Sequence, residues 1–412
     1  MVALVAISIA WPQIVAAIPG PLSAPDLKTA SDTGISSSDN LTQDTYAHFV
    51  GSCTTGDTIK LYANSTMIAQ GTCTSNNYEL SPSSAIADGT YNMTVTATDG
   101  SGESTHSDAL SITIDTNYPL APSRPDLDAS SDTGRSSSDN DTRDKTPTFT
   151  GTCTPGNRVT IRHDSDNTTG PCSTSGTYSI TISVPSDSDT DVIAWQTDDA
   201  GNDGVETTAL NPTFDFTPPA IPSKPDLVAT SDSGRSNVDN ITNDTTPTFS
   251  GTCEYEYPTT PYYTVTIRID GEEAGQGTCS TTTSTYAITA STQATGTYDV
   301  DAVISDQAGN TSDATDPLIN IKIDTSASAP SVDGSGGSIA APNFSASGSS
   351  EANSIITIDE GSTNLALCFA SGSGSWSCNV PTPSTGSHSI TFKTLDIAGN
   401  ISSATTRSYT VN

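Results

Sequence analysis

The sequence predicts an all-β protein built from tandem sandwich domains, and three observations carry that prediction. The chain has 412 residues, a length that favours several domains over one. Apolar and polar residues alternate in short runs between turn residues, as from Tyr91 to Asp99, which is the period of a half-buried strand. An acidic segment, Ser31–Asp44, returns almost letter for letter at 131–144 and 231–244, one hundred residues apart each time. A period of this size indicates one copy per domain.

The domain boundaries follow from the same repeat. Pro-Asp-Leu opens each copy at 25–27, 125–127 and 225–227, and each copy ends in a strand followed closely by proline. We expect an apolar segment at 1–20 and domains at 21–118, 119–218, 219–325 and 326–412, the last one divergent. About seven short strands per domain, with Tyr91 and Tyr298 opening strands, is the pattern of a Greek-key immunoglobulin-like sandwich. The predicted architecture is four such sandwiches in an elongated array.

The charge balance excludes several classes of function. Asp and Glu outnumber Lys and Arg by 47 to 14, a net charge of −33. Nucleic acid and anionic membrane surfaces both need basic protein surface, so neither is expected as a partner. The acidic residues suit an extracellular surface, or a protein that binds cations through its carboxylates.

The eight cysteines predict four disulfides within domains and therefore an oxidising compartment. There are two in each domain and no Cys-x-x-Cys, and no histidine recurs beside them to complete a zinc site. The expected pairs are Cys53–Cys73, Cys153–Cys172, Cys253–Cys279 and Cys368–Cys378.

The N-terminal segment has two interpretations. Residues Met1 to Ala17 are apolar and end in Val-Ala-Ala, as a secretory signal does, although no basic residue precedes the apolar run. The alternative is a retained segment that adds as a strand to a neighbouring molecule, which would make the protein a filament subunit. No other stretch is apolar enough to span a bilayer, so no stable membrane span is expected after processing.

The acidic segments predict calcium sites between domains. Calcium takes about six to eight oxygen ligands from carboxylates, carbonyls, Asn and water. Immunoglobulin-like topology leads us to expect Asp198 near Asp132 and Asp139, with Asp115 arriving beside Asp126. The junction before the last domain retains only Asp324 and Asp396 and is expected to be the softest. The alternative is that these residues only cap turns through local hydrogen bonds.

The candidate calcium ligands fall into equivalent sets at the three repeats. At the second repeat, six carboxylates are expected to converge on one seam: Asp115, Asp126, Asp132, Asp139, Asp144 and Asp198. The complete set is Asp26, Asp32, Asp39, Asp44, Asp99, Asp115, Asp126, Asp132, Asp139, Asn140, Asp144, Asp198, Asp215, Asp226, Asp232, Asp239, Asn240, Asp244 and Asp306.

The string Ser-Asp-x-Gly-x-Ser-x-x-Asp-Asn-x-Thr-x-Asp, with Asp-x-Ala-Gly-Asn and Ile-Asp-Thr, resembles the bacterial Ig-like repeats of large surface adhesins and biofilm-associated proteins. The resemblance covers about residues 24 to 412 and is weaker in the last domain. It implies a tandem sandwich stalk, export to the cell surface and calcium-dependent rigidity. The cysteines at Cys53 and Cys73 depart from the usual family pattern.

The expected function is cell-surface adhesion or extension by a secreted stalk. Its partners would be cell-surface or matrix components, or other copies of itself in the filament alternative. A third possibility is an array of carbohydrate-binding modules, for which Trp195 and the insertion Tyr255–Tyr263 are the candidate aromatics. We expect no enzyme, since the four histidines (His48, His106, His163 and His388) occupy different repeat positions and no hydrolase, zinc-protease or phosphate-loop motif is present.

Overall fold

The computed structural model describes residues 17–254 and 263–412. Most of the apolar N-terminal segment and most of the Tyr255–Tyr263 insertion therefore lie outside the described residues. All regular structure in the described part is strand, and no helix there is long and apolar enough to cross a membrane. The chain divides into two compact units, Met1–Phe214 and Asp215–Asn412, and each contains two of the sandwich repeats.

The first repeat consists of two sheets around one apolar core. Its strands are β1 (Asp26–Leu27), β2 (Leu41–Thr42), β3 (Phe49–Ser52), β4 (Thr58–Ala63), β5 (Thr66–Thr72), β6 (Asn77–Leu80), β7 (Gly89–Asp99), β8 (Gly102–Glu103) and β9 (Leu110–Ile114). One sheet has the order β1-β3-β6, and the other has the order β2-β9-β7-β4-β5 with β8 paired to β7. Leu27, Phe49 and Tyr78 of the first sheet meet Leu61 and Val95 of the second in this core.

The second repeat has the same plan, although its last two strands are shorter than those of the first. Its strands are β10 (Asp126–Leu127), β11 (Asp141–Thr142), β12 (Thr148–Thr152), β13 (Arg158–His163), β14 (Asp166–Pro171), β15 (Thr177–Thr181), β16 (Val192–Thr197) and β17 (Thr213–Phe214). The sheets have the orders β10-β12-β15, β14-β13-β16 and β11-β17.

The second unit contains the third and fourth repeats. Strands of the third are β18 (Asp226–Leu227), β19 (Ile241–Thr242), β20 (Thr248–Thr252), β21 (Thr264–Ile269), β22 (Glu272–Thr278), β23 (Thr285–Thr289), β24 (Gly296–Ser305) and β25 (Leu318–Ile323). Strands of the fourth are β26 (Gly337–Ile339), β27 (Asn343–Ser349), β28 (Ile355–Glu360), β29 (Thr363–Phe369), β30 (Ser375–Pro381), β31 (Gly386–Leu395) and β32 (Thr405–Val411). The sheet orders are β18-β20-β23 and β19-β25-β24-β21-β22, then β27-β30 and β26-β32-β31-β28-β29.

The repeats have a common core because alternate strand residues point inward. Phe49, Phe149 and Phe249 occupy the same position in the first three repeats, and each is fully buried. Tyr91 and Tyr298 each donate a hydrogen bond from the hydroxyl to a backbone carbonyl four residues upstream, at 3.0 Å. That bond is the tyrosine corner of immunoglobulin-like sandwiches. The predicted all-β tandem array is confirmed, while the domain boundaries stay a prediction.

The four expected cysteine pairs are bonded in the structure. Three of them close loops of comparable size, with sequence separations of 20, 19 and 26 residues, and the fourth has a separation of 10. Each bond lies within one repeat, so each restricts the unfolded chain of its own sandwich.

One strand pairing fixes where the acidic segments lie. In every repeat a short early strand pairs in parallel with the last strand: β2 with β9, β11 with β17, β19 with β25 and β26 with β32. Each short strand therefore lies beside the final residues of the last strand, and the head residues around it lie at the end of the repeat where the chain leaves it. We call this end the C-terminal pole and the opposite end the N-terminal pole.

Candidate metal site at the acidic heads

The acidic heads, residues 31–44, 131–144 and 231–244, are folded by local hydrogen bonds. In the first head, Thr42 donates its hydroxyl to the Ser31 carbonyl at 2.5 Å, and the Ser31 hydroxyl donates to the Asp44 carboxylate at 2.9 Å. Thr42, Thr142 and Thr242 are fully buried. The hydrogen bond from each threonine to the serine carbonyl therefore lies in the interior of the loop, shielded from water. The same threonine-to-serine bond recurs in the second and third heads.

Each head has one buried carboxylate, and only one of its two oxygens accepts a hydrogen bond. Asp32, Asp132 and Asp232 are 5%, 5% and 3% exposed. One oxygen of each accepts a long hydrogen bond, at 3.2–3.3 Å, from the backbone N–H of the asparagine eight residues on. The other oxygen, Oδ1, is buried without a hydrogen-bond partner in all three copies. A buried unpaired carboxylate oxygen is costly, and it recurs in all three heads.

Burial also changes how readily these groups ionise. Desolvation raises the pKa of Asp32 and Asp232, and it raises the pKa of Asp132 from 3.8 to about 6. A second carboxylate acts in the same direction, because Asp39 lies beside Asp32 and Asp139 beside Asp132. Two close carboxylates, one buried and one exposed, form an electronegative pair that a cation would neutralise.

In the first unit, the first head faces the next repeat. The hydroxyl of Thr33 donates to the Ala200 carbonyl at 2.6 Å, and the Gln43 amide donates to the Gly201 carbonyl at 2.5 Å. The Asn202 side chain donates to the carbonyl of Asp115, the residue that follows the last strand of the first repeat, at 2.9 Å. We call residues 198–202, 306–310 and 396–400 the Ala-Gly-Asn turns. The joint thus consists of a head, a strand end and the turn of the following repeat.

The close approach at this joint depends on a glycine. Gly34 has a φ of +98°, and a Cβ built on it would lie 2.0 Å from the carbonyl oxygen of Asp199. Any other residue at this position would be strained and would also collide with backbone. The second unit repeats the arrangement, since a Cβ on Gly234 would lie 2.0 Å from the carbonyl oxygen of Ile397.

The joint inside the second unit has two of the three bonds that form the joint inside the first, those from the head hydroxyl and from the asparagine of the turn. Ser233 donates its hydroxyl to the Ala398 carbonyl at 3.0 Å, and Asn400 donates its side chain to the Asp324 carbonyl at 2.6 Å. The third head thus meets the turn of the fourth repeat. At the start of this unit, Asn310 makes the equivalent bond to the Asp215 carbonyl at 2.8 Å.

The expectation that Asp198 lies near Asp132 is wrong. Asp198 follows the end of β16, whereas Phe214, beside the second head, bridges to Ser188 before β16 begins. The two residues therefore lie at opposite poles of one repeat, because the parallel pairing of β11 with β17 takes the head to the C-terminal pole. The correct neighbours of Asp198 are Asp115 and the first head.

The expectation that the junction before the fourth repeat is the softest stays a prediction. The third head contacts this junction through the bond from Ser233 to the Ala398 carbonyl. The fourth repeat carries the turn that the third head requires, with Asp396 accepting from the backbone and side chain of Asn400 at 2.8 and 2.7 Å.

Several predicted ligands make local hydrogen bonds, and their role as ligands stays a prediction. Asp44, Asp144 and Asp244 each accept a backbone N–H two residues on, at 2.8–2.9 Å, which is a turn cap. Asp99 is likewise bonded to Ser101, and Asp306 to Asn310. Asp26, Asp126 and Asp226 lie in the short first strands. Asn40, Asn140 and Asn240 have φ of 60–64°, a left-handed conformation that asparagine tolerates.

The six carboxylates expected on one seam do not converge. Within residues 17–254 and 263–412, no three Asp, Glu, His or Cys side chains are close enough together to hold a metal ion. The head offers a pair, such as Asp32 with Asp39, and any further ligands would have to be carbonyl, amide or water oxygens. Calcium accepts all of these.

Some residues of the joint were not among the sites predicted from the sequence. Thr33, Ser233 and Gln43 bond across it, and Gly34 and Gly234 allow the approach. The signal was present, since glycine stands at the same place in all three heads and Gly-Asn ends all three turns. The sequence does not reveal that a head contacts the turn of the next repeat.

The fold and this head-to-turn joint define a protein of tandem immunoglobulin-like repeats. The sequence model of the bacterial Ig-like domain matches residues 19–116, 119–216 and 218–325. The chain belongs to that family. No curated protein matches the chain by sequence.

Several solved structures are similar over much of the chain. A Ca²⁺-stabilized adhesin that helps an Antarctic bacterium bind ice has 20% identity and a TM-score of 0.32, with 95% of this chain and 99% of that chain covered. A 1.5-MDa bacterial ice-binding adhesin has 20% identity and a TM-score of 0.28, with 72% and 99% covered. Fibronectin(III)-like modules of Clostridium thermocellum CbhA have 12% identity and a TM-score of 0.29, with 46% and 94% covered.

Proposed function

We propose that this is a secreted, disulfide-braced surface protein whose repeats are stiffened by calcium at the acidic heads, and that it serves adhesion or extension at the cell surface. Membership of the bacterial Ig-like family, four intra-repeat disulfides and a net charge of −33 support an extracellular structural role over an enzyme. Its partners are cell-surface or matrix components.

The observation that carries the calcium proposal is the unpartnered Oδ1 of Asp32, Asp132 and Asp232. A turn cap would have its oxygens satisfied, as Asp44 does with Ser31 and Tyr46 at 2.9 Å. A buried carboxylate oxygen that has no hydrogen-bond donor is stabilised by a cation. Asp32 with Asp39, Asp132 with Asp139 and Asp232 with Asp239 would hold the ion.

The placement of the heads gives the ion a mechanical role. The first and third heads touch the Ala-Gly-Asn turn of the next repeat through side-chain hydrogen bonds. Without a cation, the paired carboxylates repel each other by about 1–4 kcal/mol, which loosens the head that must hold the turn. Calcium at the head would order the loop and with it the joint.

Calcium is expected to raise the thermal unfolding midpoint at neutral pH. A ligand that binds only the folded state stabilises it by about 2.7 kcal/mol at one hundred times its Kd. The measurement is calorimetry of the full chain in excess chelator, in calcium and in magnesium at the same ionic strength. Magnesium controls for general screening, because it demands a stricter octahedral geometry. An identical midpoint in calcium and chelator would exclude the calcium part of the proposal.

The filament alternative depends on the apolar segment before residue 17, which lies outside the described residues. No described contact favours that alternative over a single stalk. It stays a prediction, and electron microscopy of the native material distinguishes fibres from single molecules.

A further inference from the structure

A shallow cavity, open to solvent, lies beside the joint of the first unit, away from the carboxylate pair. Its volume is about 360 Å³, within the range of about 300–1,000 Å³ that is usual for small-ligand sites. The outward face of β13, β14 and β16 forms its floor, and Gly34 and Ile35 of the first head form one side. We propose that this cavity binds a neutral glycan, with a pyranose ring against the indole of Trp195.

Trp195 is held as a platform. Its side chain projects from the outward face of β16 and is half-buried. The guanidinium of Arg162 lies 5.7 Å from the centre of the indole and is itself fixed by Glu206, at 2.7 and 3.2 Å. Trp195 lines the cavity and Arg162 does not. A fixed aromatic ring offers large contact area to the C–H groups of a sugar.

The polar groups around Trp195 have donor and acceptor atoms that are not used in hydrogen bonds with any residue that the structure describes. Within the described part of the chain, the side chains of Arg158 and Asn167 make no hydrogen bond, and both line the cavity. Asp203 accepts one bond from the Thr197 hydroxyl at 2.6 Å through Oδ1, which leaves its second oxygen available. Donors and acceptors are thus both present, and sugar hydroxyls can serve either role.

This constellation occurs in one repeat. Strand register places Thr96, Val303 and Lys393 at the position of Trp195 in the other repeats. The same register places Thr58, Thr264 and Ile355 at the position of Arg158. The sandwich folds without Trp and Arg at these positions, so the fold does not account for them. A single site also differs from the array of carbohydrate modules considered from the sequence.

The charge of the molecule selects among ligands. At a net charge of −33 the surface repels polyanions, and Asp203 adds a local carboxylate at the cavity. One guanidinium, one amide, one carboxylate and an indole suit an uncharged polyhydroxyl ring. The cavity draws its walls from two repeats, so the joint bonds from Thr33 and Gln43 also hold the site together.

The inference gives the proposed surface protein a target and rests on that proposal, but its test does not depend on calcium stabilisation. We would titrate the full chain, in calcium, with neutral oligosaccharides: cello-, malto-, manno-, xylo- and chito-hexaose. Calorimetry is expected to show binding of at least one of them. Trp195→Ala is expected to weaken that binding about tenfold or more, and Arg158→Ala and Asn167→Ala to weaken it less.

Val303→Ala, at the equivalent position of the third repeat, is the matched control and is expected to bind as the wild type does. Unfolding midpoints of all variants establish that they are folded, and Trp195→Phe is expected to restore part of the affinity. The inference is overturned if no oligosaccharide binds at millimolar concentration, or if Trp195→Ala binds as tightly as the wild type. Either result with a calcium-dependent midpoint intact would leave the proposed stalk in place.

Discussion

Asp132→Asn is expected to stabilise the calcium-free protein and to destabilise the calcium-loaded protein relative to the wild type. The buried carboxylate has a pKa raised from 3.8 to about 6. Its ionisation at neutral pH therefore disfavours the fold by on the order of 1–3 kcal/mol, since one pKa unit corresponds to about 1.4 kcal/mol and solvent screens part of the effect. The neutral amide removes that cost, but it also removes the charge that would bind calcium. Thermal unfolding of both proteins in chelator and in calcium checks the reversal.

Asp144→Asn is the matched control in the same head. The Asp144 carboxylate accepts hydrogen bonds from Ser131 at 2.8 Å and from the Thr146 backbone at 2.8 Å, so it caps a turn. Its substitution is expected to lower stability by about 1 kcal/mol with and without calcium. If Asp132→Asn also destabilised the protein in chelator, the buried oxygen would have a partner and the cation proposal would lose its basis.

Asp132 also makes the free energy of unfolding depend on pH, with a sign that follows from its raised pKa. The pKa of Asp132 is higher in the folded state, so between pH 3.8 and about 6 the folded state holds more protons than the unfolded state. The stabilisation is present at low pH and is lost as pH rises through that window. Calcium competes with the proton and is expected to reverse the slope. The difference in unfolding free energy between the wild type and Asp132→Asn isolates this group from the other carboxylates.

Gly34→Ala is expected to open the joint between the first two repeats without unfolding either core. The added Cβ would lie 2.0 Å from the Asp199 carbonyl oxygen, so the turn must move away. The bonds from Thr33 and Gln43 to the turn would be lost, at about 1 kcal/mol each. Hydrogen exchange at the amides of Gln43 and Asn202 is expected to accelerate about thirtyfold, which corresponds to about 2 kcal/mol.

Gly56→Ala is the control that distinguishes an effect on the joint from the effect of backbone strain alone. Gly56 has a φ of +104°, close to that of Gly34, but a Cβ there meets nothing within 4 Å. Both substitutions incur a similar conformational cost of about 1 kcal/mol. Gly56→Ala is expected to leave exchange at the turn unchanged. Equal acceleration in the two variants would show that the head does not hold the turn.

Much of the fold could be predicted because it is periodic. Alternation along β7 and β24 places Val95 and Val300 in the core, and the repeat at one hundred residues sets the number of homologous sandwiches. The local loop chemistry was also visible, since Asp and Asn in a short acidic string are turn formers as well as ligands.

The position of the site was not predictable in the same way. The head lies at the C-terminal pole because a two-residue strand, such as Leu41–Thr42, pairs in parallel with the last strand. A strand that short has no period to detect, so its parallel pairing with the last strand could not be predicted. The head was therefore expected at the N-terminal pole, opposite to where it lies. The orphaned oxygen of Asp32 was equally hidden, because burial and hydrogen-bond satisfaction depend on Thr42 and Asn40 closing around it.

Calcium binding by the head variants tests the central claim most directly. Isothermal titration of the chelated full chain with calcium would be compared among the wild type, Asp32→Asn, Asp132→Asn and Asp232→Asn. We expect that the wild type binds calcium and that each substitution removes the binding of its own head while the other two heads still bind. Wild-type stoichiometry in all three variants, or no calcium bound by the wild type, would contradict this expectation.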